Sequence, residues 1–247
     1  MIRESVDIPT PDGVADAFLC RPDSDAHPGV LLLMDVFGLR PAIEDIAERI
    51  AAGGYVVLAP NLFYRAGRTA DLPSMADPAQ RAAFWEVVKP LVEQLTTERL
   101  AADGAAYLDR LGQAAAPAAG PVAITGYCMG GRIGWRIAAA HPDRVAALAC
   151  FHTGRLVTDE PDSPHLSAAS LRAELYFGFA DQDASMTAEQ IAVLEQTLRE
   201  TGARYRAEVY PGARHGYTMA DRPEVHDPAA AERHFEQLLA LTGRVFG

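Results

Sequence analysis

Two hydrophobic periods divide this chain. Residues 2–8 and 14–20 alternate roughly one for one between apolar and polar, with Thr-Pro-Asp-Gly between them. That alternation and turn chemistry predict a β-hairpin. Residues 29–34 (GVLLLM) and 55–59 (YVVLA) are continuous apolar runs, as expected of strands buried on both faces. Between them, Ile43, Ile46, Ala47 and Ile50 fall on one helical face, and Gly53-Gly54 ends the helix. Residues 61–80 form an irregular excursion, and helical spacing follows over 78–111 with a break expected near Pro90. An Ala-rich loop is expected over 113–120. The remaining chain alternates strand and helix: strands at 121–125, 145–151, 173–179 and 205–210, helices at 132–140, 187–200 and 228–241, and a polar loop at 156–167. Buried strands alternating with helices predict an α/β protein, a mostly parallel central sheet with helices on both faces. With no repeat and no linker in 247 residues, the expectation is one domain, 1–247.

Composition narrows the function classes. Lys plus Arg number 22 against 33 Asp plus Glu, a net charge of −11. Such a surface disfavours nucleic acid and anionic lipid as partners. It also slows an anionic small molecule unless local basic groups reverse the field. The three cysteines, Cys20, Cys128 and Cys150, cannot all pair, and no CxxC spacing suggests zinc. The first residues lack a signal-peptide pattern and no apolar stretch reaches membrane-span length. The expectations are a cytoplasmic, reduced, monomeric protein without cofactor or metal.

The chemistry is concentrated after the predicted strands. Gly126-Tyr127-Cys128-Met129-Gly130-Gly131 follows the strand PVAIT and precedes a helix. This is the G-x-nucleophile-x-G elbow with cysteine as nucleophile. The Met129 backbone N–H, at the helix start, can donate to a developing oxyanion, and the helix N-terminus favours a thiolate at Cys128. Asp181 follows the strand ending in FGF, and His215 lies in the loop after the next strand. Nucleophile, acid and histidine therefore occur in α/β-hydrolase order, each beyond a parallel strand. Asp183 is the rival acid, with capping of the helix near Thr187 as its alternative role. Asp181 is preferred because it lies closer to the expected strand end. The segment Met34-Asp35-Val36-Phe37-Gly38 follows a buried strand, so Val36 supplies the second oxyanion N–H and Asp35 stands beside the nucleophile. His152 could line a pocket, His234 is expected on a solvated helix side, and Cys20 and Cys150 are expected in the core.

These segments resemble the dienelactone hydrolase (carboxymethylenebutenolidase) family. The resemblance rests on MDVFGL, APNLFYR, GYCMGG, FGFADQD and YPGARHGY, spread over most of the chain. It implies the α/β-hydrolase fold, a Cys128–Asp181–His215 triad, no cofactor, and ring opening of a small lactone of the dienelactone type. Members usually carry Glu where this chain has Asp35. Dienelactone-cleaving members bind the substrate carboxylate with arginines, one of them four residues past the histidine, where this chain has Met219. The resemblance suggests Arg222, further along, as the substitute, and Arg81 as the match for the other arginine. Phe37, Tyr64 and Tyr127 are further candidate substrate contacts, with Trp85 and Arg65 as other possible lining residues. The pocket walls are expected from 61–80, 152–170 and 216–225. The competing readings are a broad carboxylesterase, a non-catalytic ligand-binding member of the fold, and a redox sensor acting through Cys128.

Overall fold

The computed structural model describes residues 1–23, 27–68, 72, 77, 79–116 and 120–247, with Arg81 described by its backbone alone. Parts of the expected 61–80 excursion and 113–120 loop therefore lie outside the described residues. Eight strands form one sheet: β1 (Ile2–Thr10), β2 (Gly13–Arg21), β3 (Gly29–Leu33), β4 (Val56–Pro60), β5 (Val122–Tyr127), β6 (Val145–Phe151), β7 (Glu174–Gln182) and β8 (Tyr205–Arg214). Their spatial order is β1-β2-β4-β3-β5-β6-β7-β8. The hairpin β1–β2 is antiparallel and β2 joins β4 antiparallel, while β4, β3, β5, β6, β7 and β8 run parallel. The parallel centre explains the composition of its strands: β3, β4 and β5 are buried at every position, because helices cover both sheet faces.

The chain steps one way from β3 to β4 and the other way from β4 to β5. Right-handed crossovers then place α1 (Pro41–Ala52) on one face, and α3 (Thr97–Ala114), α4 (Met129–Ala140) and α5 (Ala188–Glu200) on the other. The last helix, α6 (Pro228–Phe246), joins α1, with the Arg49 guanidinium 3.9 Å over the Phe235 ring. The reversal leaves a crevice beyond the carboxyl ends of β3 and β5, the position at which open parallel sheets bind ligands.

Several element boundaries differ from the sequence reading. The expected break at Pro90 is absent: α2 runs Arg81–Glu93 with Pro90 inside it. Proline removes the bond to the carbonyl of Glu86, but both residues are exposed, so water can satisfy that carbonyl. The break comes at residues 94–96, where the Thr96 side chain accepts from Arg99 N at 3.3 Å and starts α3. The 156–167 loop runs into a 3-10 segment at Pro164–Ser170. Strands β7 and β8 extend to Gln182 and Arg214, past their expected ends at 179 and 210. No described helix is long and apolar enough to cross a membrane.

Where the hairpin meets α3, a charged cluster is buried. Tyr64 OH donates to Asp103 Oδ1 at 2.9 Å and accepts from Thr10 Oγ1 at 2.8 Å. Arg65 grips both oxygens of Asp103, at 2.9 and 3.1 Å. The Asp103 side chain is 2% exposed, so removing it leaves the Arg65 guanidinium with only Asp12 at the surface and the Tyr64 hydroxyl with only Thr10. Asp103→Ala is expected to cost roughly 3–5 kcal/mol of folding stability, read as a lower midpoint in urea unfolding. A loss under ~1 kcal/mol would mean that water reaches the cluster, as at surface pairs.

Candidate active site

The turn between β5 and α4 is too close for side chains. A Cβ on Gly126 would stand 2.3 Å from the Gly130 carbonyl oxygen, and one on Gly130 would stand 2.1 Å from the Leu33 carbonyl oxygen. Cys128, at the apex, is held at φ 53° and ψ −114°. That left-handed backbone costs about 1–3 kcal/mol for a non-glycine residue. Neighbours fix it: Cys128 N donates to the Phe151 carbonyl at 3.1 Å, and α4 begins at the next residue. The result is a partly buried thiol above the sheet.

His215, the first residue past β8, reaches that thiol. Its Nε2 lies 2.9 Å from Cys128 Sγ, and its Nδ1 lies 2.6 Å from Asp183 Oδ2. The acid on the histidine is therefore Asp183 and not Asp181. The correction follows from the strand boundary. β7 continues through Asp181 to Gln182, which pairs with Arg214 across a register shift. Asp183 is consequently the first residue beyond the strand. Asp181 is exposed within it and accepts from Gly212 N at 3.0 Å. Nor does Asp183 serve as a helix cap: Thr187 starts α5 with its own capping box to Gln190. Ser185 orients Asp183 instead, donating to Oδ1 from its backbone N at 2.8 Å and from Oγ at 2.6 Å.

The charges in this row support one another. Burial of the ring opposes protonation of His215. The negative charge at Cys128, the hydrogen bonds to Asp183 and Cys128, and the charge of Asp183 outweigh it, and the ring is pushed up to about 10. Burial also works against a charged Asp183, yet the His215 contact and the Ser185 donors hold its carboxyl below the usual range. The row thus favours a charged imidazole between two acids.

A cavity of about 610 Å³ opens over the thiol, lined in part by Cys128, His215, Ser185, Val36 and Met129. The volume suits a small molecule. Met129 N begins α4 and has no intrahelical carbonyl to bond. Val36 lies past β3, across the close contact that Gly130 makes with Leu33. The structure thus gathers Cys128, His215, Met129 and Val36 as the sequence predicts. Trp85, from α2, and Gly154 and Arg155, from the loop after β6, also line the cavity.

Other expected contacts are not brought together. Asp35 is not among the residues that line the cavity over the thiol. Arg40 clamps both its oxygens, at 2.6 and 3.1 Å, and Phe37 N donates to Oδ1 at 2.9 Å. Arg40 also bonds Asp221 and touches Met219 Sδ at 3.4 Å. Phe37 packs on Phe84 with ring centroids 5.0 Å apart, and the Arg222 guanidinium lies 4.5 Å over the Phe37 ring while binding Glu224. Tyr64 and Arg65 belong to the Asp103 cluster. Tyr127 is fully buried against His234, its OH 3.0 Å from Nε2. His234 is thus a core residue, not a solvated one, as its place opposite β5 requires. None of Phe37, Tyr64, Tyr127 and Arg222 lines the cavity over the thiol. The side chain of Arg81 lies outside the described residues. His152, left-handed at φ 39°, bonds Thr218 Oγ1 at 2.7 Å behind the His215 ring. Cys20 and Cys150 are buried as expected.

Sequence reasoning missed Ser185 and Arg132. A signal existed for the second: Arg132 lies four residues past Cys128, one turn up the same helix and so on the same side. No local pattern marks Ser185, because its use depends on where β7 ends.

Comparison with known proteins agrees with the fold. The model of the dienelactone hydrolase family matches residues 15–246. A Salmonella typhi protein named "Putative carboxymethylenebutenolidase" is 32% identical over 234 residues, covering 91% of this chain and 81% of its own. An Escherichia coli protein of the same name is 32% identical over 239 residues, covering 94% and 83%. Among solved structures, a "Putative Dienelactone Hydrolase" from Klebsiella pneumoniae superposes with a TM-score of 0.84 at 24% identity, covering 98% of each chain. That last likeness concerns the fold.

The His215 row predicts its own titration. The ring should titrate well above a free imidazole (~6.5), toward about 10, when followed by nitrogen NMR. Asp183→Asn should move that titration down, and Asp181→Asn should leave it in place. The linked stability has a fixed sign: because the folded value is raised, the contribution is full below ~6.5 and fades as pH rises through the folded value. A shift on Asp181→Asn and none on Asp183→Asn would reverse the assignment.

Proposed function

The chain belongs to the dienelactone hydrolase family and is a hydrolase of ester or lactone bonds, and we propose on that premise that Cys128 is its nucleophile, with His215 as proton carrier and Asp183 as the orienting acid. One observation carries the reading: the unbroken row of hydrogen bonds from Cys128 Sγ through the His215 ring to Asp183. His215 Nε2 takes the thiol proton, and the sulfur attacks the substrate carbonyl. The N–H groups of Met129 and Val36 receive the developing oxyanion. Asp183 holds the ring by Nδ1–H and offsets the imidazolium charge. Collapse of the tetrahedral intermediate breaks the carbon–oxygen bond, and His215 returns the proton to the departing oxygen. The thioester left on Cys128 is hydrolysed when His215 takes a proton from water. The hydroxide adds to the carbonyl, the acid is released and the sulfur recovers its proton.

This chemistry selects substrates. A thiolate is itself a good leaving group, so the first tetrahedral intermediate reverts unless the other oxygen departs easily. Enol lactones and aryl esters satisfy that condition and amides do not. The natural substrate is accordingly a small activated ester or lactone, the dienelactone type included, that fits the cavity over the thiol.

Cys128→Ala and His215→Ala are each expected to abolish nearly all hydrolysis of a para-nitrophenyl ester and of a dienelactone while the thermal midpoint stays near that of the unaltered protein. Asp183→Asn should lower kcat by ~10³–10⁴, the scale seen when a triad acid loses its charge. Asp181→Asn should stay within about twofold, as surface substitutions do. Turnover by Cys128→Ala near the unaltered rate would sink the proposal.

A further inference from the structure

A single guanidinium joins the two loops that carry the site. Val36 lies in the loop after β3, and His215 opens the loop after β8. On the first loop, Arg40 Nη1 and Nη2 donate to Asp35 Oδ1 and Oδ2 at 2.6 and 3.1 Å. On the second, Arg40 Nε and Nη2 donate to Asp221 Oδ2 and Oδ1 at 2.6 and 3.2 Å. Two longer contacts complete the fork, Nη1 to the Gly38 carbonyl at 3.3 Å and Nη2 to Met219 Sδ at 3.4 Å.

The Asp35 end of this clamp is a tight turn. Gly38 N donates to the Asp35 carbonyl at 3.3 Å, with Gly38 at φ 84°, so Val36 and Phe37 are the central residues. Phe37 N donates to the Asp35 carboxylate at 2.9 Å, the side-chain-to-backbone bond that aspartate favours at such a corner. The Asp35 carbonyl and the Val36 N–H share one peptide plane. The bonds at that carbonyl and at Phe37 N therefore fix the planes on both sides of Val36. Val36 is 7% exposed, and among the described residues its N–H meets no acceptor. A buried donor left free is costly unless something arrives to take it, and Val36 borders the cavity over the thiol.

Burial makes the turn depend on Arg40. Asp35 is buried, which raises its pKa, and the charge and hydrogen bonds of Arg40 and the Phe37 N–H pull against that. Asp221 is exposed, so its part is positional. By taking Nε and Nη2 from the other loop, it fixes the plane in which Nη1 and Nη2 meet the two oxygens of Asp35. Only a planar fork can serve both acids in this way; an ammonium group is a point charge.

We propose that Arg40 is a positioning residue for the oxyanion site: anchored by Asp221, it holds Asp35, and with it the turn that presents the Val36 N–H to the developing negative oxygen of the substrate. Arg40 does not line the cavity and acts through the turn alone. The inference rests on the reading of Cys128 as nucleophile and Val36 as oxyanion donor. It gives Asp35 a part in shaping the oxyanion site and none in deprotonating the thiol.

Arg40→Lys keeps a positive charge beside both acids and removes the fork. Three measurements separate its effects: turnover of a para-nitrophenyl ester, inhibition by an aryl trifluoromethyl ketone, and alkylation of Cys128 by iodoacetamide. The ketone carbon accepts the Cys128 sulfur, its carbonyl electron pair moves to the oxygen, and that oxygen needs the same N–H groups as the reaction. Alkylation forms a carbon–sulfur bond as iodide leaves, and needs the thiolate but no oxyanion donor. Arg40→Lys should lower kcat and the affinity for the ketone, each by roughly ten- to a hundredfold. KM and the alkylation rate should stay within about twofold. If Arg40→Lys does not fold, Asp221→Asn carries the same test, since it loosens the fork from its exposed end and should give the same pattern. Alkylation slowed as much as turnover would show that Arg40 acts on the thiol or the fold, and unchanged kcat and ketone affinity would show that the turn holds without the fork; either overturns the positioning role. Alkylation also checks the premise. If the fully alkylated unaltered protein still turns over the ester, the nucleophile reading fails and the positioning role falls with it. Loss of turnover on alkylation, together with full activity of Arg40→Lys, overturns the positioning role alone.

Discussion

The close approach of α4 to the end of β3 is the constraint on which the site depends. Gly130 lies so near the Leu33 carbonyl that a single added carbon would stand 2.1 Å from it. That contact brings the start of α4 against the loop after β3, so Met129 and Val36 border one cavity. It also forces the chain between β5 and α4 to turn at one residue, which is why Cys128 takes a left-handed conformation. The parallel sheet supplies the force behind this geometry. Its central strands are fully buried and cannot shift to relieve the turn.

The same sheet decides which acid meets the histidine. β7 and β8 run side by side past the point where their apolar patterns stop, and their pairing of Gln182 with Arg214 carries both strands to the rim. His215 and Asp183 then emerge together, one from each strand. Ser185 completes the arrangement by donating twice to Asp183, which leaves the other oxygen for the imidazole. Asp181 is only two residues away, but its carboxylate ends on the Gly212 N–H of the β8 side.

Charge is arranged on two scales. Over the whole surface acids outnumber bases, and arginines are spent in local pairs. Asp35 illustrates how completely: this acid of the loop after β3 is clamped by Arg40, which in turn holds Asp221.

Much of this was written locally in the chain. Buried apolar runs, amphipathic spacing and the turn at residues 10–13 determined the order of strands and helices, because backbone hydrogen bonding and the burial of apolar side chains act over a few residues. The elbow glycines with Cys128, and a histidine beyond the following strands, were legible for the same reason: a tight turn needs particular residue types in a fixed order. The choice of Asp183, the capture of Asp35 by Arg40 and the burial of Tyr127 against His234 were not. Each depends on which residues from distant segments meet, and on a strand end set by its neighbour's register rather than by its own sequence. Two aspartates two positions apart look alike to any local rule; only the pairing of β7 with β8 gives one of them the imidazole and leaves the other at the surface.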